Sequence, residues 1–241
     1  MAQPFDAAQD LRDAPRTGAR LRPKDAATLI LVRRDGGEPR VLMGRRAEGH
    51  VFMASKWVFP GGRVDRADYR APAATELKPE VAAALAPANA SKARALGLAA
   101  IRETFEETGL LLAREAPSRP AAGPWRPFLA QGALPDLGAL DYVARAVTPP
   151  GRARRFDARF FTADAEGLLH LDHQPGVEKE LDEVAWIALS DTKALDLPQI
   201  TRFILGEIVD RMDEVRNRGT VDSARRPPLV RMVRGRHVIE R

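Results

Sequence analysis

Residues 102–110 read RETFEETGL, a spacing that places three carboxylates side by side if the segment is helical. Residues three or four positions apart share a helix face, so Glu103 lies beside Glu106 and Glu107. Carboxylates this close repel one another, and a bound cation relieves the repulsion. Oxygen ligands of this kind suit Mg²⁺ or Mn²⁺ better than Zn²⁺. The alternative is a solvated acidic face, because charge runs usually lie on the surface.

The flanking sequence predicts a helix over residues 91–108. Ser91 is a typical N-cap residue, and Gly109 is a residue that typically ends a helix. A shorter helix is predicted over residues 78–86, where Pro79 suits the first turn. The longer helix carries apolar residues at helical spacing on one face, namely Ala93, Leu96, Ala100, Ile101 and Phe105.

A second informative segment lies upstream, where residues 59–65 read FPGGRVD. The paired glycines Gly61 and Gly62 allow a tight turn and leave backbone groups open to a ligand. Asp65 and Asp68 follow directly, so further carboxylates stand close to the glycines in sequence. The two segments together predict a metal or phosphate site built from a glycine turn and an acidic helix.

These two segments resemble the halves of a Nudix box, in which a glycine precedes a glutamate and a later Arg-Glu…Glu-Glu…Gly helix. Asp68 stands where the first glutamate is expected, and Thr104 stands at a usually apolar position. Residues 69–101 occupy a gap that spans seven residues in the family pattern, so 26 residues are extra. The positions that match are Gly62, Arg102, Glu103, Glu106, Glu107, Gly109 and Leu110.

The extra residues indicate a branch of the family similar to the peroxisomal-type coenzyme A diphosphatases, which carry an insertion at this place. Three further segments resemble that branch: VFM at residues 51–53, VFPGG at residues 58–62, and RFDARFF at residues 155–161. The resemblance covers roughly residues 26–210. It implies hydrolysis of coenzyme A or its derivatives to 4′-phosphopantetheine and 3′,5′-ADP.

The resemblance also implies a fold and a set of site residues. The expected fold is mixed α/β (α+β), with a mixed β-sheet sandwiched between helices and a helical insertion at residues 69–95. Glu106 and Glu107 are expected to bind divalent metal, and Glu103 to bind metal or act as a base. The carbonyl of Gly61 or Gly62 would complete the metal shell. Arg102 would orient a carboxylate through a charge-assisted hydrogen bond, with Asp65 and Asp68 as additional acids near the glycines.

A further acid from outside the two segments often completes such a site. Glu178, Glu180 and Glu183 lie in a polar run just before a predicted strand, and Glu180 is the preferred candidate. A solvated loop acid is an equal alternative for each. A basic cluster at Arg152, Arg154 and Arg155 is a candidate phosphate-binding group, with ordinary exposure as its alternative.

The rest of the chain predicts one domain with two polar ends. Residues 1–24 are expected to form a flexible arm, residues 25–216 a single domain, and residues 217–241 a basic tail. Strands are predicted where apolar and β-branched residues concentrate between turn signals, and a final helix where apolar residues recur at helical spacing. The strand ranges are 26–34, 40–46, 142–148, 156–163 and 184–189, and the helix range is 198–216.

Composition limits the function classes. The 241 residues include no cysteine, which excludes a disulfide framework, a thiolate metal site and a cysteine nucleophile. No apolar run approaches the roughly 18 residues that span a bilayer, and residues 1–25 do not resemble a secretory signal. We therefore expect a cytoplasmic protein with no membrane partner. The net charge of +5 is compatible with nucleic acid, anionic lipid or a phosphorylated small molecule as a ligand, although a solvated basic tail is the preferred explanation of this charge.

Three alternatives to coenzyme A hydrolysis remain open from the sequence. The substrate can be another nucleotide, such as ADP-ribose or NADH. A role as an RNA 5′-end pyrophosphohydrolase would use the basic C-terminal residues, although no basic patch interleaved with aromatics supports nucleic acid as a partner. A non-catalytic Nudix binding module is the third alternative, against which all three helix carboxylates argue. A homodimer is a further expectation from the resemblance.

Overall fold

The computed structural model describes residues 6, 16–19, 21–48, 53–86, 89–170, 180–219, 221 and 225–241. Glu178 lies outside these residues, and so do the first two residues of the VFM segment at 51–53. Thirteen strands are described: β1 Arg16–Ala19, β2 Lys24–Arg33, β3 Arg40–Arg46, β4 Trp57–Val58, β5 Gly61–Arg63, β6 Ala113–Glu115, β7 Ala133–Pro135, β8 Asp141–Val147, β9 Gly151–Arg152, β10 Phe156–Asp164, β11 Leu181–Ala188, β12 Leu229–Val233 and β13 Arg236–Glu240. The α-helices are α1 Pro79–Leu85, α2 Ala90–Thr108, α3 Arg126–Leu129 and α4 Gln199–Arg218.

The main sheet is mixed and has the strand order β11-β3-β2-β10-β8-β12-β13. Strands β2 and β10 run parallel along their whole shared length, and β10 and β8 run antiparallel. Strands β3 and β5 both pair with β2, at different ends of it. Strand β3 pairs with residues 32–33 of β2, and β5 pairs with residues 26–28. The short strand β5 therefore places the glycine pair directly against the central strand.

Helices cover both faces of the sheet, as the sequence predicted. Alternate side chains of β2 point to opposite faces, so Leu29 packs with the α2 side and Ile30 packs with the α4 side. On the first side the core includes Leu96 and Ile101 of α2. On the second side it includes Phe203, Ile204 and Ile208 of α4.

The predicted elements recur with small shifts at their ends. The helix that carries the glutamates begins one residue earlier than expected and is capped by Asn89, whose side chain accepts a hydrogen bond from Lys92 N at 2.9 Å, so the prediction of Ser91 as the cap was wrong. Gly109 ends the helix in the left-handed conformation, with φ of 74°. The inserted residues form α1, whose Val81 and Leu85 are buried in the core on the α2 side.

Both chain ends contain strands that the sequence did not predict. Strand β1 lies within the expected arm and pairs with β9. Strands β12 and β13 lie within the expected basic tail, and β12 joins the main sheet beside β8. The many arginines in and around this hairpin made the segment look like a charged tail in the sequence. In the structure Val230 is buried and the next residue, Arg231, is exposed, as expected for a strand. No helix in the described part of the chain has the length and hydropathy needed to cross a bilayer.

Candidate active site

The glycine pair forms a close contact between β2, β5 and α2. Gly61 has φ of 156°, and a Cβ there would lie 2.5 Å from the carbonyl oxygen of Ala27. A Cβ on Gly62 would overlap the carboxylate of Glu103. Glycine is therefore required at position 61, where the backbone of β2 occupies the space of a side chain, whereas a side chain at position 62 would displace the Glu103 carboxylate.

Glu107 accepts a hydrogen bond from the backbone of the glycine turn. The Gly61 N–H donates to Glu107 Oε2 at 3.0 Å. This contact links the two halves of the sequence pattern, which lie 46 residues apart. The glycine turn was expected to leave backbone groups open to a ligand, and in the structure the Gly61 amide is bonded to Glu107.

Arg102 forms the centre of a buried ionic network. Its Nε and Nη2 donate to the two carboxylate oxygens of Asp68 at 2.9 and 3.1 Å, a bidentate pair. Its Nη1 donates to Glu106 Oε2 at 2.7 Å and lies 2.9 Å from Glu103 Oε1. Burial alone would lower the pKa of Arg102, but the acids outweigh this and raise it. Arg102 therefore stays charged and fixes two carboxylates of the helix.

Asp68 is fully buried and has all its acceptor positions satisfied. In addition to Arg102, it accepts from the backbone N–H of Asp65 at 2.7 Å and from Trp125 Nε1 at 2.9 Å. Trp125 is a residue of the site that sequence reasoning did not select for this role. It lies 57 residues beyond Asp68, in a loop rich in proline and glycine, and no sequence spacing connects the two.

The remaining predicted acids lie at different places. Asp65 is exposed and caps the short 3₁₀ helix Arg66–Tyr69, where its side chain accepts from Ala67 N at 2.8 Å. Through that contact Asp65 stabilises the local structure.

Glu180 lines the same cleft as Glu103 and Glu106. Its charge contributes to raising the pKa of Glu107, which places Glu180 within electrostatic reach of the helix carboxylates.

Two of the helix carboxylates have strongly perturbed acidity. Burial raises the pKa of Glu103 to about 7, with Arg102 opposing the shift and the charge of Glu106 adding to it. Burial also raises the pKa of Glu107 to about 8, with Arg46 and the Gly61 amide opposing and Glu103 reinforcing. Perturbed carboxylates in a cleft are typical of functional sites.

The donor set fits a hard divalent cation. Glu103, Glu106 and Glu107 offer oxygen ligands only, and a cation would offset the cost of burying their charges. Among the described residues, no group of three or more acidic or histidine side chains is drawn together closely enough to form a preassembled metal cage. In this arrangement Glu106 faces Arg102 and Glu107 faces the Gly61 amide.

Glu103 and Glu106 line a large cleft of about 1180 Å³. Its floor is one face of the sheet, and a row of small side chains crosses neighbouring strands there. Four residues on four adjacent strands are paired in register across the sheet. In strand order they are Ala26 of β2, Ala158 of β10, Ala146 of β8 and Val230 of β12. These four residues line the cleft, so the C-terminal hairpin contributes to the site.

Comparisons with known proteins agree with this geometry. A family model described as a NUDIX domain matches residues 23–205. An acyl-coenzyme A diphosphatase, NUDT19, from Gallus gallus is 33% identical over an alignment that covers 51% of this chain and 46% of the relative. A putative Nudix hydrolase 7 from Caenorhabditis elegans is 26% identical, with 68% of this chain and 51% of the relative covered. The chain spans about half the length of the curated relatives it matches.

A solved structure has the same architecture. The crystal structure of a Nudix hydrolase from Alicyclobacillus acidocaldarius is 26% identical and has a TM-score of 0.58. The match covers 85% of this chain and 100% of that chain. The mixed sheet flanked by helices is therefore the fold of a solved Nudix hydrolase.

Proposed function

Because this chain belongs to the Nudix family, we propose that it hydrolyses a diphosphate linkage in a nucleotide-like small molecule. One observation carries this proposal: Arg102 holds Glu103 and Glu106 in the lining of the cleft, and the glycine turn holds the buried Glu107 beside them. This arrangement retains every helix carboxylate of the family pattern, which argues against a role in binding alone.

Glu106 and Glu107, with the carbonyl of Gly62, would hold Mg²⁺ or Mn²⁺, and Glu103 would join them or act as the base. Bound there, the ion would supply charge neutralisation for the diphosphate and a lowered pKa for water. The protein's own part is to position carboxylates and to accept a proton. We assign the proton to Glu103, because its carboxylate lies against the glycine turn and lines the cleft where the diphosphate would bind.

The reaction balances with water as the only co-substrate. The water oxygen forms a bond to one phosphorus, and the bond from that phosphorus to the bridging oxygen breaks. The proton of the water passes to a carboxylate oxygen of Glu103. Arg102 does not touch the reacting atoms; it holds Glu106 through its Nη1 and is itself held by Asp68.

For the substrate we propose coenzyme A or a derivative. Support comes from the 33% identical relative, which is named an acyl-coenzyme A diphosphatase. The cleft of about 1180 Å³ also exceeds the roughly 300–1,000 Å³ typical of small-molecule sites, so it accepts a long substrate. A homodimer and a cytoplasmic location remain predictions based on the family resemblance and the composition.

The test is turnover on a panel with Mg²⁺ or Mn²⁺. The panel contains coenzyme A, ADP-ribose, NADH, nucleoside triphosphates and 5′-triphosphate RNA, and Glu106→Gln is the inactive control. We expect coenzyme A to yield 4′-phosphopantetheine and 3′,5′-ADP with the wild type alone. Turnover of a different nucleotide would keep the diphosphatase proposal and reject coenzyme A. No turnover with either metal would leave the binding-module alternative.

A further inference from the structure

A group of basic residues lines the cleft away from the helix carboxylates. We call it the strand-start patch, because it lies where β2 and β10 begin. Its members come from residues 21–25 and 151–156, and all of them border the cleft: Arg22, Lys24, Arg152, Arg154 and Arg155. The reaction proposed above needs none of them.

Backbone pairing fixes this patch in place. Lys24 N donates to the carbonyl of Arg155 at 2.9 Å, and Lys24 is level with Phe156 in the parallel pairing of the two strands. The guanidinium of Arg155 donates to the carbonyls of Leu21 at 2.6 Å and Thr148 at 3.1 Å. These contacts bring two chain segments 134 residues apart to one edge of the cleft.

The acids at the starts of β2 and β10 already pair with cations outside the patch. They are Asp25 and Asp157, and Asp157 pairs with Arg145 at 2.7 Å and with Arg159 at 2.9 Å. The two oxygens of Asp25 bind Arg159 at 3.1 Å and Lys92 at 2.8 Å. The partners described for Arg155 are neutral carbonyl groups, which leave its charge in place. An anion entering this end of the cleft meets a net positive field.

The strand-start patch lies a short distance along β2 from the carboxylates. Gly62, which lies against the Glu103 carboxylate, is level with Ala27 on β2. Lys24 lies three residues along the same strand, a separation of roughly 10 Å at about 3.3 Å per residue. The small side chains of Ala26 and Ala158 lie between the two places and leave the floor of the cleft open.

We propose that the strand-start patch binds a phosphate monoester that the substrate carries outside the diphosphate being cleaved. Arginine binds phosphate oxygens through paired N–H donors, and several arginines at one place favour a doubly charged monoester over a neutral ribose. The proposal rests on the proposed function and narrows its substrate class to nucleotides with an additional phosphate. Coenzyme A, which has a 3′-phosphate, is the natural probe.

The experiment compares two substrates that differ only in that phosphate. The ratio of kcat/KM for coenzyme A over 3′-dephospho-coenzyme A is measured for the wild type and for Arg22→Gln/Arg154→Gln, two exposed positions. We expect a wild-type ratio on the order of ten to a hundred, from one or two charge-assisted hydrogen bonds, and a ratio lower by about tenfold for the variant, which loses two of the five patch cations. The control Arg119→Gln/Lys193→Gln removes the same charge outside the cleft and should keep the wild-type ratio.

Binding without turnover provides a second readout. Calorimetry should show that adenosine 3′,5′-bisphosphate binds the wild type more tightly than AMP, and that Arg22→Gln/Arg154→Gln reduces the difference. Equal turnover of the two coenzyme A forms by the wild type would overturn the patch while leaving the proposed function intact. Absence of diphosphate hydrolysis on every substrate would reject the proposed function itself. Patch-dependent turnover of 5′-triphosphate RNA alone would overturn the small-molecule assignment.

Discussion

Replacing Glu107 with glutamine should stabilise the protein at alkaline pH in the absence of metal. Burial raises the pKa of Glu107 from an ordinary value of 4.5 to about 8. An acid whose pKa is raised by folding costs no stability below pH 4.5. The cost grows between pH 4.5 and about 8 and is fully present above that pH. The amide oxygen of the introduced glutamine can still accept the hydrogen bond from Gly61 N, so the substitution removes the charge and keeps the contact.

The magnitude follows from the size of this shift. Each pKa unit corresponds to about 1.4 kcal/mol, so full ionisation of Glu107 costs up to about 5 kcal/mol in the metal-free protein. Coupling to Glu103, whose pKa also rises, spreads the cost over both groups. We therefore expect Glu107→Gln to raise the free energy of unfolding by about 2–4 kcal/mol at about pH 8.5 and by little at about pH 5.

The assay is urea unfolding of both proteins in a chelating buffer at these two pH values. The same curves in Mg²⁺ should show a larger rise in stability for the wild type, because the ion relieves the carboxylate charge that glutamine lacks. A Glu107→Gln protein that is less stable than the wild type by the same amount at both pH values would show that folding does not raise the pKa of Glu107.

Three further substitutions test separate parts of the structure. Gly62→Ala places a methyl group in the space of the Glu103 carboxylate, so turnover should fall on the order of a hundredfold with an unchanged circular dichroism spectrum. Asp68→Asn removes the bidentate partner of the buried Arg102 and should lower the free energy of unfolding in urea by about 3 kcal/mol. Glu207→Gln breaks the pairing of a fully buried acid with Arg225 and Arg241. Burial would raise the pKa of Glu207, but its arginine partners outweigh this and lower it, so the loss of about 3 kcal/mol at neutral pH should shrink as the pH falls below 4.5.

The sequence predicted the helix face and the glycine turn because both depend on local spacing. A stripe of glutamates at helical positions can be read directly, and a glycine at position 109 marks where the helix ends. The sheet between helices followed from the family resemblance and from apolar runs such as residues 26–34. The insertion was also readable as a short helix because Pro79 marks its first turn.

Contacts between distant segments could not be read from spacing. Trp125 donates a hydrogen bond to Asp68 because the chain after α2 returns to the region of the glycine turn. The arginines in and around β12 and β13 masked the alternation of these strands, yet Val230 is buried in the sheet. Both features arise from tertiary packing, which overrides the local preference of these residues.

The most direct measurement is hydrolysis of coenzyme A in ¹⁸O-labelled water with Mg²⁺, followed by mass spectrometry of the products. We expect the wild type to release 4′-phosphopantetheine and 3′,5′-ADP, with one labelled oxygen in the phosphate of one product. Glu106→Gln and a chelated sample should release neither. Intact coenzyme A after prolonged incubation, or products that carry no label, would contradict hydrolysis of a diphosphate linkage by this site.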